Sequence, residues 1–100
     1  MIKVVFTYKT KKADLPDLMA KFAQSAKEPE FQSAVSNSKI EMFQRTEGEN
    51  VYVVLDIYYH SREDYEARTA FERSLPKWNA IWFSPEKKHE EVSVEVFDVL

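Results

Sequence analysis

A regular alternation of apolar and polar residues marks a strand near the middle of the chain, over residues 50–59. Successive side chains of a strand point to opposite sides of a sheet. One side of this strand is apolar and consists of Val51, Val53, Leu55, Ile57 and Tyr59. The other side is mixed and consists of Tyr52, Val54, Asp56, Tyr58 and His60. The pattern predicts a central strand with helices on its apolar side and a partly polar space on its mixed side.

A helix is predicted directly after this strand. Ser61 is a good N-cap residue, and Asp64, three residues later, gives a weak form of the capping box. Apolar residues then recur at helical spacing, at Ala67, Phe71, Leu75, Trp78 and Trp82. Pro76 interrupts this stripe because proline lacks an N–H group and disfavours helical geometry in the residue before it. We therefore expect a helix to about Ser74 and a short second helical turn over residues 77–83.

The beginning of the chain repeats this order of strand and helix. Residues 1–8 alternate as a strand, and residues 9–12 form a charged loop. Asp14 caps the first helix, with Pro16 tolerated in its first turn and Pro29 at its end. The stripe of this helix follows the i, i+3, i+4, i+7 rule and consists of Leu15, Leu18, Met19, Phe22, Ala23 and Ala26.

A hairpin is predicted between the two helices. Its first strand covers residues 39–46, and Gly48 with Glu49 suits a type II′ turn, in which glycine takes the first central position. The register that follows from this turn brings apolar residues together on both sides of the hairpin. The predicted cross-strand pairs are Ile40–Ile57, Met42–Leu55, Phe43–Val54 and Arg45–Tyr52.

A last strand over residues 91–99 completes the predicted fold. Its two sides consist of Val92, Val94 and Val96, and of Ser93, Glu95, Phe97 and Val99. The order β-α-β-β-α-β predicts one α+β, ferredoxin-like domain over residues 1–100, a four-stranded antiparallel sheet with two helices on one face and the first and third strands central. The face without helices would expose more apolar surface than a monomer tolerates. We therefore predict a homodimer in which two such faces pack together.

Composition and charge narrow the function. The chain has 100 residues, enough for one core, and 44% of them are hydrophobic. A net charge of −3 without a basic run disfavours a nucleic-acid partner. No cysteine is present, which excludes thiolate metal sites and cysteine nucleophiles, and no metal site is predicted. No apolar run approaches the roughly 20 residues that a membrane helix needs, so we expect a cytoplasmic protein with no membrane partner.

The segment YYHSREDYEARTAFERSLPKWNAIW resembles the dimeric α+β barrel superfamily, which includes antibiotic-biosynthesis monooxygenase-like and NIPSNAP-like domains. Its Pro-Lys-Trp step, residues 76–78, is similar to the NIPSNAP-like pattern at the end of the second helix. The resemblance implies a homodimer with a pocket between sheet and helices in each subunit, and the superfamily hosts several activities. Its haem-degrading members have an axial histidine on the second helix. This chain has only His60 and His89, both elsewhere, so no haem or other cofactor is expected.

Candidate site residues lie on the mixed side of the central strand and on the tail of the second helix. Asp56, Tyr58 and His60 are the predicted catalytic residues, because a carboxylate, a phenol and an imidazole can each move protons. The predicted ligand-binding residues are Arg45, Tyr52, Trp78, Trp82 and Phe97. A pocket is expected between these two regions, with Arg45 as the partner of the Asp56 carboxylate.

Each of these assignments has a structural alternative. The two tryptophans fall on a helical stripe and also fit core packing. Tyr52 and Tyr58 also fit a dimer interface, and Asp56 a structural salt bridge. His60 also fits a polar strand end. The charged residues of the second helix are expected to form a solvated face and consist of Glu63, Asp64, Glu66 and Arg68.

Two functions agree with these observations. The first is a dimeric small-molecule-binding or stress-associated domain. It is favoured because no set of acidic and basic side chains stands at a spacing typical of a catalytic site. The alternative is a cofactor-free monooxygenase or isomerase acting on a small, planar, acidic organic substrate. The depth of the pocket, and the residues that meet in it, would separate the two.

Overall fold

A computed structural model describes residues 1–33 and 35–100. Its strands are β1 (Ile2–Lys11), β2 (Lys39–Glu47), β3 (Asn50–Tyr59) and β4 (Glu90–Asp98). Its α-helices are α1 (Leu15–Lys27), α2 (Arg62–Arg73) and α3 (Pro76–Trp82), and short 3-10 turns cover Lys12–Asp14 and Pro29–Phe31. The predicted order of strands and helices is confirmed, and the turn expected after Pro76 is the short helix α3.

The four strands form one antiparallel sheet in the order β2-β3-β1-β4, so the first and third strands are central as predicted. The predicted hairpin register is also confirmed, with Ile40 opposite Ile57 and Phe43 opposite Val54. Gly48 has a φ of 59°, and no non-glycine residue of the described chain has a positive φ. A type II′ turn requires a positive φ only at its first central residue, which is the position of Gly48.

An irregularity in β4 changes which residues face the helices. Thr7 of β1 lies opposite Ser93, whereas the next residue, Tyr8, lies opposite Glu91. Val92 is therefore an extra residue in β4, as in a β-bulge. Because a bulge reverses the alternation beyond it, Glu91 shares the helix-covered side with Tyr8. Simple alternation would have put Glu91 on the opposite side with Ser93.

Asp14 is the N-cap residue of α1, but the prediction that its side chain caps this helix is wrong, because it makes no capping hydrogen bond. The starts of α2 and α3 follow local chemistry. The Ser61 side chain accepts a hydrogen bond from the Asp64 backbone N–H at 3.1 Å, which caps α2. Leu75 has an extended backbone, and α3 begins at Pro76, whose fixed φ suits the first position of a helix. None of the helices in the described chain is long and apolar enough to cross a membrane.

The core lies on one side of the sheet, under α1 and α3. Its main cluster of buried residues consists of Tyr8, Leu18, Val51, Val53 and Trp82. A second cluster, at the other end of the central strands, consists of Ile2, Val4 and Tyr59. The two clusters occupy the two ends of β1 and β3, and a cavity opens beside the middle of these strands.

Helix α2 does not bury the stripe predicted for it. Ala67 is exposed, and Phe71 is half-buried with the Arg68 guanidinium 5.8 Å from its ring centre. The residues of α2 that face the cavity are Tyr65, Arg68, Thr69, Glu72 and Arg73. The prediction that Arg68 belongs to a solvated face is wrong, because its side chain is only 13% exposed.

Candidate functional site

A cavity of about 780 Å³ lies between the sheet and the helices. This volume falls within the range of small-molecule sites, roughly 300–1,000 Å³. Its aromatic lining consists of Phe6, Tyr8, Phe22, Tyr59, Tyr65, Trp78, Trp82 and Phe83. Its aliphatic lining includes Ile40, Met42, Leu55, Ile57 and Val94. Ile40 and Met42 are partly exposed on edge strand β2, so the cavity opens toward that edge.

The aromatic wall of the cavity is fixed by contacts between its rings. The ring centre of Trp82 lies 5.1 Å from Phe22, 5.5 Å from Tyr8 and 6.1 Å from Trp78. The Trp82 indole N–H donates a hydrogen bond to the Ser25 hydroxyl oxygen at 2.9 Å. Rings at such distances stabilise one another, so this wall is held in place by its own packing.

The polar wall is organised around Arg68. Its Nε donates to a Glu72 carboxylate oxygen at 3.0 Å. Its two terminal nitrogens donate to the backbone carbonyls of Phe31, at 2.7 Å, and Val35, at 3.3 Å. Burial raises the pKa of the Glu72 carboxyl, and Arg68 offsets only part of this effect. Glu72 is therefore a carboxylate held at some energetic cost on the cavity surface.

Three phenols line the same cavity as this carboxylate. Burial, followed by the charge of Glu72, raises the pKa of Tyr59 to about 12. The pKa of Tyr8 is raised by burial and then by Glu91 and Glu72, and that of Tyr65 is raised mainly by burial. All three phenols therefore stay protonated at neutral pH and can donate a hydrogen bond to a ligand.

His89 lies behind the aromatic wall. Its ring centre is 5.3 Å from that of Trp82 and 5.8 Å from that of Tyr8, and the residue is 5% exposed. The Lys21 ammonium lies 3.3 Å from its Nδ1, which must accept because an ammonium has only donors. Burial, and then the nearby lysine charge, lowers the pKa of His89 to about 4. The imidazole is therefore neutral at physiological pH.

The predicted site residues fall on two different sides of the sheet. Trp78 and Trp82 line the cavity, and their role in ligand binding stays a prediction. The mixed-face residues Arg45, Tyr52, Asp56, Tyr58 and Phe97 belong to the sheet face without helices, here called the open face. The expected pocket between the mixed face and the tail of the second helix is therefore wrong in its location, because α3 packs against the other side of β3.

The predicted partner of Asp56 is also wrong. The Asp56 carboxylate pairs with the Lys3 ammonium at 3.4 Å, whereas Arg45 pairs with Glu47. The Tyr58 hydroxyl donates to the Glu41 carboxylate at 3.2 Å.

Arg45 and His60 do not line the cavity either. The Arg45 guanidinium lies 4.4 Å from the ring centre of Tyr52. His60 is exposed at the end of β3. The predicted roles of the mixed-face residues stay predictions, at positions outside the cavity.

The polar wall was not predicted. Arg68 and Glu72 are four residues apart, and this spacing, which puts both on one face of a helix, was the signal that could have identified them. Tyr59 was assigned only to the apolar side of its strand. The position of Glu91 on the cavity side could not be predicted, because it depends on the bulge at Val92.

Comparison with known proteins gives the fold class. No protein-family model and no curated protein sequence matches the chain. The chain is similar in structure to a mutant of MhuD, crystallised with two manganese protoporphyrin IX molecules bound per active site. The TM-score is 0.71 at 15% identity, over 100% of this chain and 95% of that one. It is also similar to the de novo designed protein Foldit4, with a TM-score of 0.60 at 17% identity over 99% and 98% of the two chains.

At these identities the likeness concerns the fold. The chain has a ferredoxin-like α+β fold, as the order of its strands and helices predicted. Membership of the dimeric α+β barrel superfamily stays a prediction. The NIPSNAP-like assignment stays a prediction.

Proposed function

We propose that this protein binds a small, planar organic molecule in the cavity between its sheet and its helices. The observation that carries the proposal is a cavity of about 780 Å³ with a wall of packed aromatic rings and a few polar groups gathered at one end. Apolar walls provide most of the binding energy in such sites, and a few polar groups fix the orientation of the ligand. The porphyrins bound by MhuD are also planar, which is in line with this choice.

The cavity offers no axial histidine to a haem-like ligand, because none of the described residues that line it is a histidine. His89 stands behind Tyr8 and Trp82, and its Nδ1 accepts from Lys21. The described chain also has no group of three or more histidine, aspartate or glutamate side chains that could hold a metal. The proposal therefore relies on stacking and hydrogen bonding.

Filling the cavity tests this proposal. Thr69 faces the cavity from α2, so Thr69→Trp should occupy the ligand space, whereas Ala70→Trp adds the same ring at the exposed neighbouring position. The measurement is mass spectrometry of small molecules released from each purified protein. A ligand recovered with the parent and with Ala70→Trp, and lost from Thr69→Trp, is expected. Equal recovery from both variants would contradict binding in the cavity.

An isomerase is the second candidate, and the raised pKa of Glu72 favours it. A carboxyl group with a raised pKa, in the same cavity as the protonated phenol of Tyr59, could take a proton from a bound substrate and return it elsewhere. Glu72→Gln should then abolish turnover and leave binding of the uncharged ligand within a few-fold. Unchanged turnover in this variant would exclude Glu72 as the base.

We also propose that the open face pairs with the open face of a second copy. Its exposed rings include Phe43, 52% exposed, and Phe97, 47% exposed. Cations lie over tyrosine rings on the same face, with Lys9 over Tyr52 and Lys39 over Tyr58. Asp56 and Tyr58 would then lie in the interface, which is the structural alternative to their predicted catalytic roles.

A further inference from the structure

The floor of the cavity crosses the whole sheet in one row of side chains. Leu55 of β3 lies opposite Met42 of β2 on one side and opposite Phe6 of β1 on the other. Phe6 in turn lies opposite Val94 of β4. These four residues, here called the floor row, are all apolar and all line the cavity. The cavity therefore has an apolar floor that runs from one edge of the sheet to the other.

The core borders the floor row in both directions along the strands. Residues two apart in a strand lie on the same side of the sheet. Two residues from Phe6 in one direction is Val4, which is fully buried in the second core cluster. Two residues in the other direction is Tyr8, which belongs to the main cluster together with Val53 opposite it. The floor row thus occupies the part of the sheet between the two clusters.

Both ends of the floor row reach solvent. Met42 is 40% exposed and Val94 is 38% exposed, and they lie on the two edge strands of the sheet. Leu55, in the middle of the row, is buried. Because both exposed end residues also line the cavity, the cavity is open at the β2 edge and at the β4 edge.

The strand spacing gives the length of this space. Four strands are separated by three spacings of 4.7–4.9 Å, so the floor row is about 14 Å long. A volume of about 780 Å³ over that length leaves a mean cross-section of roughly 56 Å², so the space is longer than it is wide.

We propose that the cavity is a channel across the sheet and takes an elongated, flat, apolar molecule, such as a conjugated chain or several rings joined in a line. The ligand lies across the strands, with its two ends at β2 and β4. Binding energy grows with the apolar area removed from water, so a rod that covers the whole floor row gains more than a short molecule. Polar groups of such a ligand belong at its ends, where they stay in water. The inference rests on the proposed function and adds the shape of the ligand to it.

Two uncharged fluorescent probes of different length test the inference. Diphenylhexatriene is a rod, N-phenylnaphthylamine is shorter, and both become brighter in an apolar site. Each is titrated into the intact parent protein and into two variants that block the ends of the floor row, Met42→Trp and Val94→Trp. A blocked end leaves part of the rod in water, so each variant should bind diphenylhexatriene at least roughly tenfold more weakly. The affinity for N-phenylnaphthylamine should stay within about threefold of the parent value.

Matched controls add the same ring to the same edge strands beside the floor row. Gln44→Trp is the control on β2 and Val92→Trp the control on β4, because both positions are exposed and neither lines the cavity. Both controls should bind the two probes as the parent does. Circular dichroism checks the fold of each variant, and Val94→Phe is a smaller block at the same end if the larger ring prevents folding.

The outcomes separate this inference from the proposed function. Unchanged binding of diphenylhexatriene in both end variants, or an equal loss of both probes, would overturn the channel and leave a ligand-binding cavity. A parent protein that binds N-phenylnaphthylamine but not diphenylhexatriene would do the same. A parent protein that binds neither probe would overturn both proposals.

Discussion

At the scale of single residues, burial decides the chemistry of this protein more than residue type does. His60 and His89 are the only histidines in the sequence, and the exposed one was the predicted catalytic group. The buried one, His89, has the perturbed pKa and lies next to the cavity wall. Sequence alone cannot separate them, because the burial of His89 depends on α1 and α3 packing over the loop before β4.

His89 should make the fold sensitive to acid. Folding lowers its pKa from the ordinary value of 6.5 to about 4, so between these values the unfolded chain binds a proton that the folded chain does not. Stability is therefore retained above pH 6.5 and lost as pH falls toward 4. The full loss is about 3–4 kcal/mol, at about 1.4 kcal/mol for each pKa unit. The charged groups facing the ring are Lys21, Lys87 and Asp17.

Urea unfolding at pH 7.5 and at pH 4.5 measures this effect. His89→Gln should lose less stability between the two pH values than the parent protein. His60→Gln is the matched control for loss of an imidazole at an exposed position. The same pH-dependent loss in the parent and in His89→Gln would show that other groups cause the acid sensitivity.

Arg68 should matter more for stability than Glu72 does. Arg68→Gln would leave the carbonyls of Phe31 and Val35 and the Glu72 carboxylate without their donor, which should cost about 1–3 kcal/mol or more. Glu72→Gln keeps an acceptor for Arg68 and removes a buried charge, so its cost should be smaller. Chemical unfolding at neutral pH compares the two. A larger loss in Glu72→Gln would mean that the ion pair outweighs the bonds to the backbone.

At the scale of secondary structure elements, periodicity predicted the strands and helices well and the orientation of one helix poorly. The hairpin register followed from Gly48 and from apolar pairing, both of which are local. In α2 the apolar stripe through Ala67 and Phe71 does not face the core, because this helix covers a cavity with its polar side. Helical periodicity identifies a helix, but inferring its buried face assumes that this face is the apolar one. A helix that covers a cavity does not meet that assumption.

The candidate site was therefore predicted only in part. The tryptophans of α3 were found because they are large apolar residues next to a proline break. The mixed side of β3 was selected because it carried polar groups, although strand alternation puts those groups on the open face. Choosing between the two sides of a strand requires knowing which side the helices cover and how completely they fill it. That information lies in tertiary packing.

The start of α2 should depend on Ser61. Its hydroxyl accepts from the Asp64 N–H, and Ser61→Ala leaves that donor unpaired at the first turn of the helix. The expected cost is about 1 kcal/mol in the free energy of unfolding. Ser61→Asp retains a capping acceptor and should stay close to the parent protein. Equal losses in both variants would show that position 61 matters for a reason other than capping.

At the scale of the whole molecule, the two faces of the sheet have different roles in our interpretation. The helix-covered side holds the core and the cavity. The open face carries exposed rings, with charged residues of both signs such as Lys3, Asp56 and Glu95 among them. An exposed surface of this kind is typical of an interaction site, and the mixture of charges suits a self-complementary contact.

Pairing of two copies through the open face can be tested by sedimentation and by a variant of Phe43. If two copies pair through it, sedimentation at micromolar concentration should give a dimer, with an interface above about 1,200 Å² in total. Phe43→Asp would bury an unpaired charge in that contact, a cost of about 3 kcal/mol or more, and should weaken association at least roughly a hundredfold. Glu66 is exposed on α2, on the other side of the sheet, so Glu66→Gln should leave the dimer unchanged. A parent protein that sediments as a stable monomer, with its cavity still able to bind ligand, would show that the open face serves another purpose.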